Sequence, residues 1–273
     1  MPSPLFQIAC IAVLAFAYGW LLHAAGDRRA MRALVVEILI IALAAWAAEE
    51  TSILRYRFYS YPDTWWLKLD EMPLLVAFIW PMVILSSRSL VDVLFPGLSP
   101  AKKAFAVGIA VVIDASLVET IAVASGLWSW VEGGYLGAPL IGLVGWGAFA
   151  AAMTWSLAHP KIPLWLTPLT ALAGTHLILV VTWWAFFRHF LRGELPTWVT
   201  FIGIAAILGL AAWLRFRPGN RRIPLALAVP RVAATSVFVV LLFLNASTWL
   251  ALHFAAVAVL YLAVFELRVA RRR

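Results

Sequence analysis

The chain alternates long apolar blocks with short polar gaps, and the blocks have the length of membrane-spanning helices. A helix that crosses the hydrocarbon layer needs about 20 mostly apolar residues. The candidate spans lie near 4–24, 33–49, 72–91, 104–126, 138–158, 164–187, 197–215, 229–245 and 248–267. The pattern predicts about nine spans. Eight is the alternative count, because the last two spans must turn within a few residues of Asn245.

Composition excludes the main alternatives to a helical membrane protein. Of the 273 residues, 64% are hydrophobic and only 12% are charged, whereas a soluble domain carries about a quarter charged residues. Cys10 is the single cysteine, which excludes an intrachain disulfide scaffold. The apolar blocks are continuous and lack the short alternation of an outer-membrane barrel. The predicted fold class is therefore an all-α, polytopic transmembrane bundle that forms one domain over residues 1–273.

The distribution of positive charge predicts the orientation in the membrane. The net charge is +8, from 21 Lys and Arg against 13 Asp and Glu. With nine spans, five cations fall on one side: Arg55, Arg57, Lys68, Arg188 and Arg192. The other 16 fall on the opposite side: Arg28, Arg29, Arg32, Arg88, Lys102, Lys103, Lys161, Arg215, Arg217, Arg221, Arg222, Arg231, Arg268 and Arg271–Arg273. The positive-inside rule then places the amino terminus outside and the carboxyl terminus in the cytoplasm.

These cations occupy the gaps between spans, so we interpret them as topology signals and expect no nucleic-acid binding. The first span has no basic residue before it and is interpreted as an outside-to-inside anchor, not as a signal peptide. We expect a multi-pass protein of a bacterial or archaeal cytoplasmic membrane.

The acidic residues carry the chemical information, because a charge at the bilayer centre costs about 2.5–3.5 kcal/mol and usually faces a partner or a cavity. Glu37 is predicted to pair with a nearby Arg. Six other acids cluster: Glu49 and Glu50 end span two and Asp70 and Glu71 open span three, all on the outer side, whereas Asp114 lies near the middle of span four and Glu119 lies five residues further out. Asp114 and Glu119 are five residues apart on one helix, so their directions differ by about 140°. They flank a sector of that helix and do not stack on one face.

Aromatic residues collect at the same level. Tyr56, Tyr59, Tyr61, Trp65 and Trp66 lie between spans two and three, and Trp128, Trp130, Tyr135 and Trp146 follow span four. An interfacial belt accounts for any single Trp, but it does not account for acids and aromatics that converge from three helix junctions. A dry pocket favours a neutral carboxyl group, which can donate a proton, and aromatic faces stabilise a cation within about 6 Å. The combination predicts protonation of an alkene to a carbocation.

Other chemistries have weaker support in the sequence. His176 lies mid-span without a His or Cys three or four positions away, and we expect it to form a hydrogen bond between helices. Nucleotide-binding loops, a nucleophile elbow and acidic pairs for magnesium diphosphate are not found. We therefore expect no metal, no redox cofactor and no prenyl transfer.

The residues from 45 to 150 resemble the signature of the integral-membrane carotenoid hydratases, which act on γ-carotene, lycopene or bisanhydrobacterioruberin. The matching elements are Asp114 and Glu119, Gly126-Leu-Trp128-Ser-Trp130, Gly134-Tyr135-Leu-Gly137-Ala-Pro139, Gly145-Trp146, and upstream Tyr59-Ser-Tyr61, Met72-Pro73-Leu74 and Trp80. Glu49 or Glu50 stands where that family has an acid that closes an earlier helix. The chain departs from the pattern at Thr120, which replaces a Pro, at Gly142, which replaces an Asn, and in lacking the family's Phe-Gly segment before the Tyr pair.

The resemblance implies addition of water across the terminal C1=C2 bond of an acyclic carotenoid. Asp114 would donate the proton and Glu119 would orient water, with these roles exchangeable, and Glu49 or Glu50 would be a third acid. The substrate would contact Trp128, Trp130, Tyr135, Trp146, Tyr59, Tyr61, Trp80, Asp70 and Glu71. The implied partners are a carotenoid or another isoprenoid, the lipid bilayer, and either a second copy of the chain or neighbouring carotenoid enzymes.

Three alternatives stay open on the sequence. An acid-catalysed isoprenoid cyclase or isomerase would start from the same protonation, and Gly142 in place of a water-positioning Asn favours it. A lipid or pigment carrier would need a path open to both sides of the membrane. A purely structural interpretation makes Asp114 and Glu119 packing partners of His176 or Arg231.

Overall fold

The computed structural model describes residues 2–190, 195–216, 223, 225–245 and 247–264. Its helices are α1 (Pro4–Ala25), α2 (Arg28–Tyr56), α3 (Leu74–Leu94), α4 (Pro100–Ala124), α5 (Leu140–Ala158), α6 (Thr167–Thr182), α7 (Arg188–Phe190), α8 (Thr197–Phe216), α9 (Leu225–Asn245) and α10 (Thr248–Val264). A 3-10 turn (Leu164–Leu166) precedes α6 and a π-helical segment (Trp183–Phe187) follows it. Four two-residue strands complete the inventory: β1 (Tyr59–Ser60), β2 (Lys68–Leu69), β3 (Met72–Pro73) and β4 (Ser129–Trp130).

The predicted helical membrane bundle is confirmed. Within the described ranges, eight helical segments are long and apolar enough to cross a membrane, the sixth of them being Leu164–Phe187. The ninth predicted span corresponds to α10, a shorter apolar helix of 17 residues. Part of the charge pattern behind the predicted orientation lies outside the described residues, namely Arg192, Glu194, Arg217, Arg221, Arg222, Glu266, Arg268 and Arg271–Arg273.

Helix α2 is longer at both ends than the predicted span 33–49. At its start, the Asp27 carboxylate accepts hydrogen bonds from the backbone N–H groups of Arg29 and Ala30, which is a favourable N-cap. At its other end, the helix continues past Glu49 and Glu50 to Tyr56, and both carboxylates accept hydrogen bonds from the segment that joins α2 to α3. Lower in the same helix, Glu37 forms the predicted ion pair, with Arg88 of α3.

The α2–α3 and α4–α5 loops pair over one end of the bundle, which the sequence predicts to be the outer end. Strands β1 and β4 are antiparallel, with Tyr59 opposite Trp130, and β2 pairs with β3. Gln7 attaches the α2–α3 loop to α1, because its side-chain oxygen accepts a hydrogen bond from the backbone N–H of Trp66 at 2.7 Å. The Trp65 indole donates to the carbonyl of Leu127 at 2.8 Å and thereby ties the first loop to the second.

Two glycines allow α4 and α5 to approach closely. A Cβ atom at Gly147 would lie 2.5 Å from Val112 Cγ2 and 2.9 Å from the carbonyl oxygen of Gly108. Such distances are too short for any real side chain, so only glycine fits this crossing. The two helices carry Glu119 and Trp146, and their separation therefore sets the distance between these two side chains.

We expect Gly147→Ala to lower the free energy of unfolding by about 1–3 kcal/mol, because the added methyl group overpacks the α4–α5 contact. The matched control is Gly209→Ala in α8, where a new Cβ would have no neighbour within 4 Å. Alanine there should be neutral or slightly stabilising. Thermal unfolding of the detergent-purified proteins measures both effects, and equal midpoints for the two variants would contradict the assigned close contact.

Candidate active site

A helix cap at Gly126 directs two tryptophans back toward α4. The backbone N–H of Gly126 donates to the Val123 carbonyl at 3.0 Å, and that of Leu127 donates to the Ala122 carbonyl at 2.9 Å. This is a Schellman motif, and it requires the left-handed backbone that Gly126 adopts, with φ of 67°. Because side chains alternate along a strand, Trp128 and Trp130 then project to the same side.

Glu119 is the acceptor for three indole N–H groups. Trp128 and Trp130 donate to its Oε2 atom at 2.7 and 2.9 Å, and Trp146 of α5 donates to its Oε1 atom at 2.6 Å. The side chain is only 2% exposed. An indole N–H can donate but cannot accept, so this arrangement satisfies a carboxylate that carries no proton.

Glu49 of α2 has a second set of three donors. The Tyr59 and Tyr61 hydroxyls donate to its Oε2 atom at 2.5 and 3.1 Å, and the Trp80 indole of α3 donates to its Oε1 atom at 3.0 Å. Burial raises the pKa of both tyrosines well above the usual value. Both hydroxyls therefore keep their protons throughout the physiological pH range.

The two sets of donors pack against each other as three pairs of rings. Each pair joins one donor to Glu49 with one donor to Glu119, and the ring centroids are separated as follows: Tyr59–Trp130 at 4.7 Å, Tyr61–Trp128 at 5.8 Å and Trp80–Trp146 at 4.5 Å. The two carboxylates thus share one continuous aromatic surround. A change at either acid must disturb the donors of the other.

Glu49 and Glu119 line the same cavity, which has a volume of about 60 Å³. This space holds a few water molecules or the branched end of a hydrocarbon chain. The remaining walls are largely apolar, and they include Ala45, Ala48, Ile141, Gly142, Gly145, Phe149 and Leu179. No Lys or Arg is among the described residues that line it, so neither carboxylate is neutralised by an ion pair there.

The predicted role of Asp114 is corrected by its surroundings. Its carboxylate forms an ion pair with Arg231 of α9 and accepts a hydrogen bond from Tyr261 of α10, and it does not line the cavity. Arg231 also donates to the hydroxyls of Ser86 and Ser87 on α3. The side chains of Asp114 and Glu119 point about 140° apart on α4, so they contact different neighbours. The interpretation of these acids as packing partners of Arg231 or His176 therefore holds for Asp114 but not for Glu119.

Three other acids in the predicted site have positions that do not fit catalysis. Glu50 is buried and accepts hydrogen bonds from the backbone N–H groups of Glu71 and Met72, which fastens the turn before α3. Asp70 and Glu71 are exposed on that turn, outside the cavity. Glu49 and Glu50 are consecutive on α2, so they point about 100° apart, and only Glu49 faces the cavity.

Tyr135 also lies apart from the cavity. Its hydroxyl is 3.1 Å from Nδ1 of His253 on α10, and burial raises the pKa of Tyr135 to about 12. His176 forms the predicted contacts between helices, with Thr51 Oγ1 at 2.7 Å and the Tyr56 hydroxyl at 2.8 Å, both on α2. Among the residues that the structure describes, no three His, Cys, Asp or Glu side chains gather as a metal site.

Sequence reasoning singled out Gly142 only as a departure from the family pattern, and it missed Ala45 and Phe149, which also line the cavity. A Cβ atom at Gly142 would lie 2.6 Å from the Trp130 ring, so this glycine provides the space that Trp130 occupies. Ala45 lies four residues before Glu49 on α2, and Phe149 lies three residues after Trp146 on α5. Residues three or four apart lie on the same face of a helix, so Ala45 shares a face with Glu49 and Phe149 shares one with Trp146. This spacing could have predicted that both residues line the cavity.

Comparison of the chain with family models, with curated proteins and with solved structures gave no match. The site is therefore interpreted from its residues and their geometry.

We expect Arg231→Met to reduce the free energy of unfolding by about 3–5 kcal/mol, because it leaves the Asp114 carboxylate without its counter-charge inside the bundle. Adding Asp114→Asn to this variant should recover a large part of the loss, since the remaining amide carries no charge. Denaturant unfolding of both single variants and of the double variant measures the coupling. Strictly additive losses would show that the ion pair contributes nothing.

Proposed function

We propose that the protein is a membrane enzyme that protonates the terminal double bond of a long isoprenoid, of the carotenoid type, and adds water to the resulting cation. The observation that carries the proposal is a pair of carboxylates, Glu49 and Glu119, in one aromatic cavity without a neighbouring Lys or Arg among the described residues. The resemblance of residues 45–150 to carotenoid hydratases supports the same chemistry.

The hydrogen-bond partners suggest how the two acids divide the work. Glu119 accepts from three indoles, which can only donate, and this surround favours the ionised form. Two of the three partners of Glu49 are tyrosine hydroxyls, which can rotate and accept a hydrogen bond from a protonated carboxyl group. Two carboxylates in one dry site retain a proton between them. Glu49 is therefore assigned as the acid and Glu119 as the base.

In the proposed reaction, the Glu49 proton is transferred to C2 of the alkene and its π electrons form the new C–H bond. The positive charge then lies on the tertiary carbon C1. The ionised Glu119 and the faces of the surrounding indole rings stabilise this cation. The oxygen of a water molecule bonds to C1, and the proton that this water loses passes to Glu119. Proton exchange between the two carboxyl groups through cavity water restores the starting state, so the net reaction consumes one water.

A second candidate reaction is favoured by Gly142. The Trp130 ring fills the space that an Asn side chain would need at this position, and therefore no amide from α5 positions water beside the cation. Loss of a proton from the carbon next to C1 to Glu119 would then give an isomerised alkene without any gain of oxygen. Both reactions need Glu49 and Glu119, but they differ in the mass of the product.

Expression in a carotene-producing host in water enriched in oxygen-18 distinguishes these reactions. Hydration gives a pigment heavier by one water that carries the label, whereas isomerisation gives an unlabelled pigment of unchanged mass. In either case, we expect Glu49→Gln and Glu119→Gln to reduce the yield at least about 100-fold, because the acid or the base is lost.

The matched control is Asp63→Asn, which removes an exposed acid from the loop between α2 and α3. This change should leave the yield unchanged. Asp114→Asn should lower the amount of folded protein but retain the yield per folded molecule. Full product yield from either Gln variant, or no altered pigment from the unmodified protein, would overturn the proposed function.

A further inference from the structure

A second cavity lies at the opposite end of the bundle from the candidate active site. It is a groove of about 530 Å³ between the start of α2, the end of α3 and the turn that joins α5 to α6. Its lining consists of Arg32, Ala33, Val36, Glu37, Arg88, Leu157 and Leu164. The predicted orientation places this end of the bundle at the cytoplasmic face of the membrane.

The charges in the groove leave one cation without a partner. Arg88 is bound to Glu37, and these two charges cancel. Arg32 is exposed, and among the described residues no ion pair or side-chain hydrogen bond is made to its guanidinium group. The groove therefore carries a net positive charge. Lys161, three residues before Leu164 in the α5–α6 turn, is exposed and adds a second cation beside the groove.

Apolar residues continue from this charge along the groove. Val36 is one helical turn beyond Arg32 on the same face of α2. Leu157 and Leu164 form the opposite wall, and Leu164 is 46% exposed. A cationic end joined to an apolar wall matches an anionic headgroup joined to an acyl chain, and basic pockets between helices on this side of a membrane bind such lipids.

We propose that this groove binds an anionic phospholipid, with the headgroup phosphate on Arg32 and one acyl chain against Val36 and the two leucines. The site is independent of the reaction proposed above, because it shares none of the residues that line the cavity of Glu49 and Glu119. Free inorganic phosphate has the same charged group but lacks the chains that would occupy the apolar wall.

Native mass spectrometry of the detergent-purified protein with added phosphatidylglycerol or phosphatidylcholine of matched chains tests the proposal. We expect the unmodified protein to retain phosphatidylglycerol preferentially. Arg32→Gln should reduce this retention about fivefold, as expected for loss of one cationic contact at the membrane surface. Ala33→Trp, which keeps the charge and fills the groove, should reduce it as well.

The matched control is Lys102→Gln, which removes one exposed cation on the same side of the membrane but outside the groove. Equal losses in Arg32→Gln and Lys102→Gln would overturn the proposal in favour of general surface attraction. Displacement of the lipid by millimolar inorganic phosphate or glycerophosphate would overturn it in favour of a soluble phosphate ligand. Unchanged retention in Ala33→Trp would show that the lipid lies elsewhere.

Discussion

The end of the bundle that carries the candidate site depends on one constraint, which is that two buried carboxyl groups must have hydrogen-bond partners. Burying a carboxylate without hydrogen bonds is costly, and a hydrogen bond to a charged group contributes roughly 1.5–3 kcal/mol. Glu49 and Glu119 each have three hydrogen-bond partners, and Glu119 is assigned as the charged member of the pair. Their donors come from two loops and two helices, so the fold of this region follows from the need to bring six donors to two acids.

The bundle separates its buried charges into chemically different groups. Asp114 is neutralised by Arg231 and joins α3, α4, α9 and α10, whereas Glu37 is neutralised by Arg88 and joins α2 to α3. These pairs join neighbouring helices, and each places a positive charge beside the carboxylate. Glu49 and Glu119 have only neutral donors, and this difference separates a pair suited to proton transfer from the structural pairs.

Sequence reasoning predicted the fold class and most of the aromatic surround of the site, for physical reasons that can be named. The apolar blocks predicted the helices. The segment with Gly126, Trp128 and Trp130 forms the helix cap and the strand that direct both indoles to Glu119. Sequence reasoning left Asp114 open between a proton donor and an ion-pair partner of Arg231, because Arg231 is 117 positions away and no local pattern joins the two residues. Nor could it choose between Glu49 and Glu50. The two side chains point about 100° apart, and only the packing of α2 against α3 and its preceding loop decides which of them faces the cavity.

The central claim is that Glu49 and Glu119 hold one proton between them, on Glu49. Infrared spectroscopy of the carboxylic-acid C=O stretch in the purified protein at neutral pH tests it most directly, because ionised carboxylates do not absorb in that region. The account predicts a protonated carboxyl band that disappears in Glu49→Gln and persists in Glu119→Gln. A band that persists in Glu49→Gln, or no band in the unmodified protein, would contradict it.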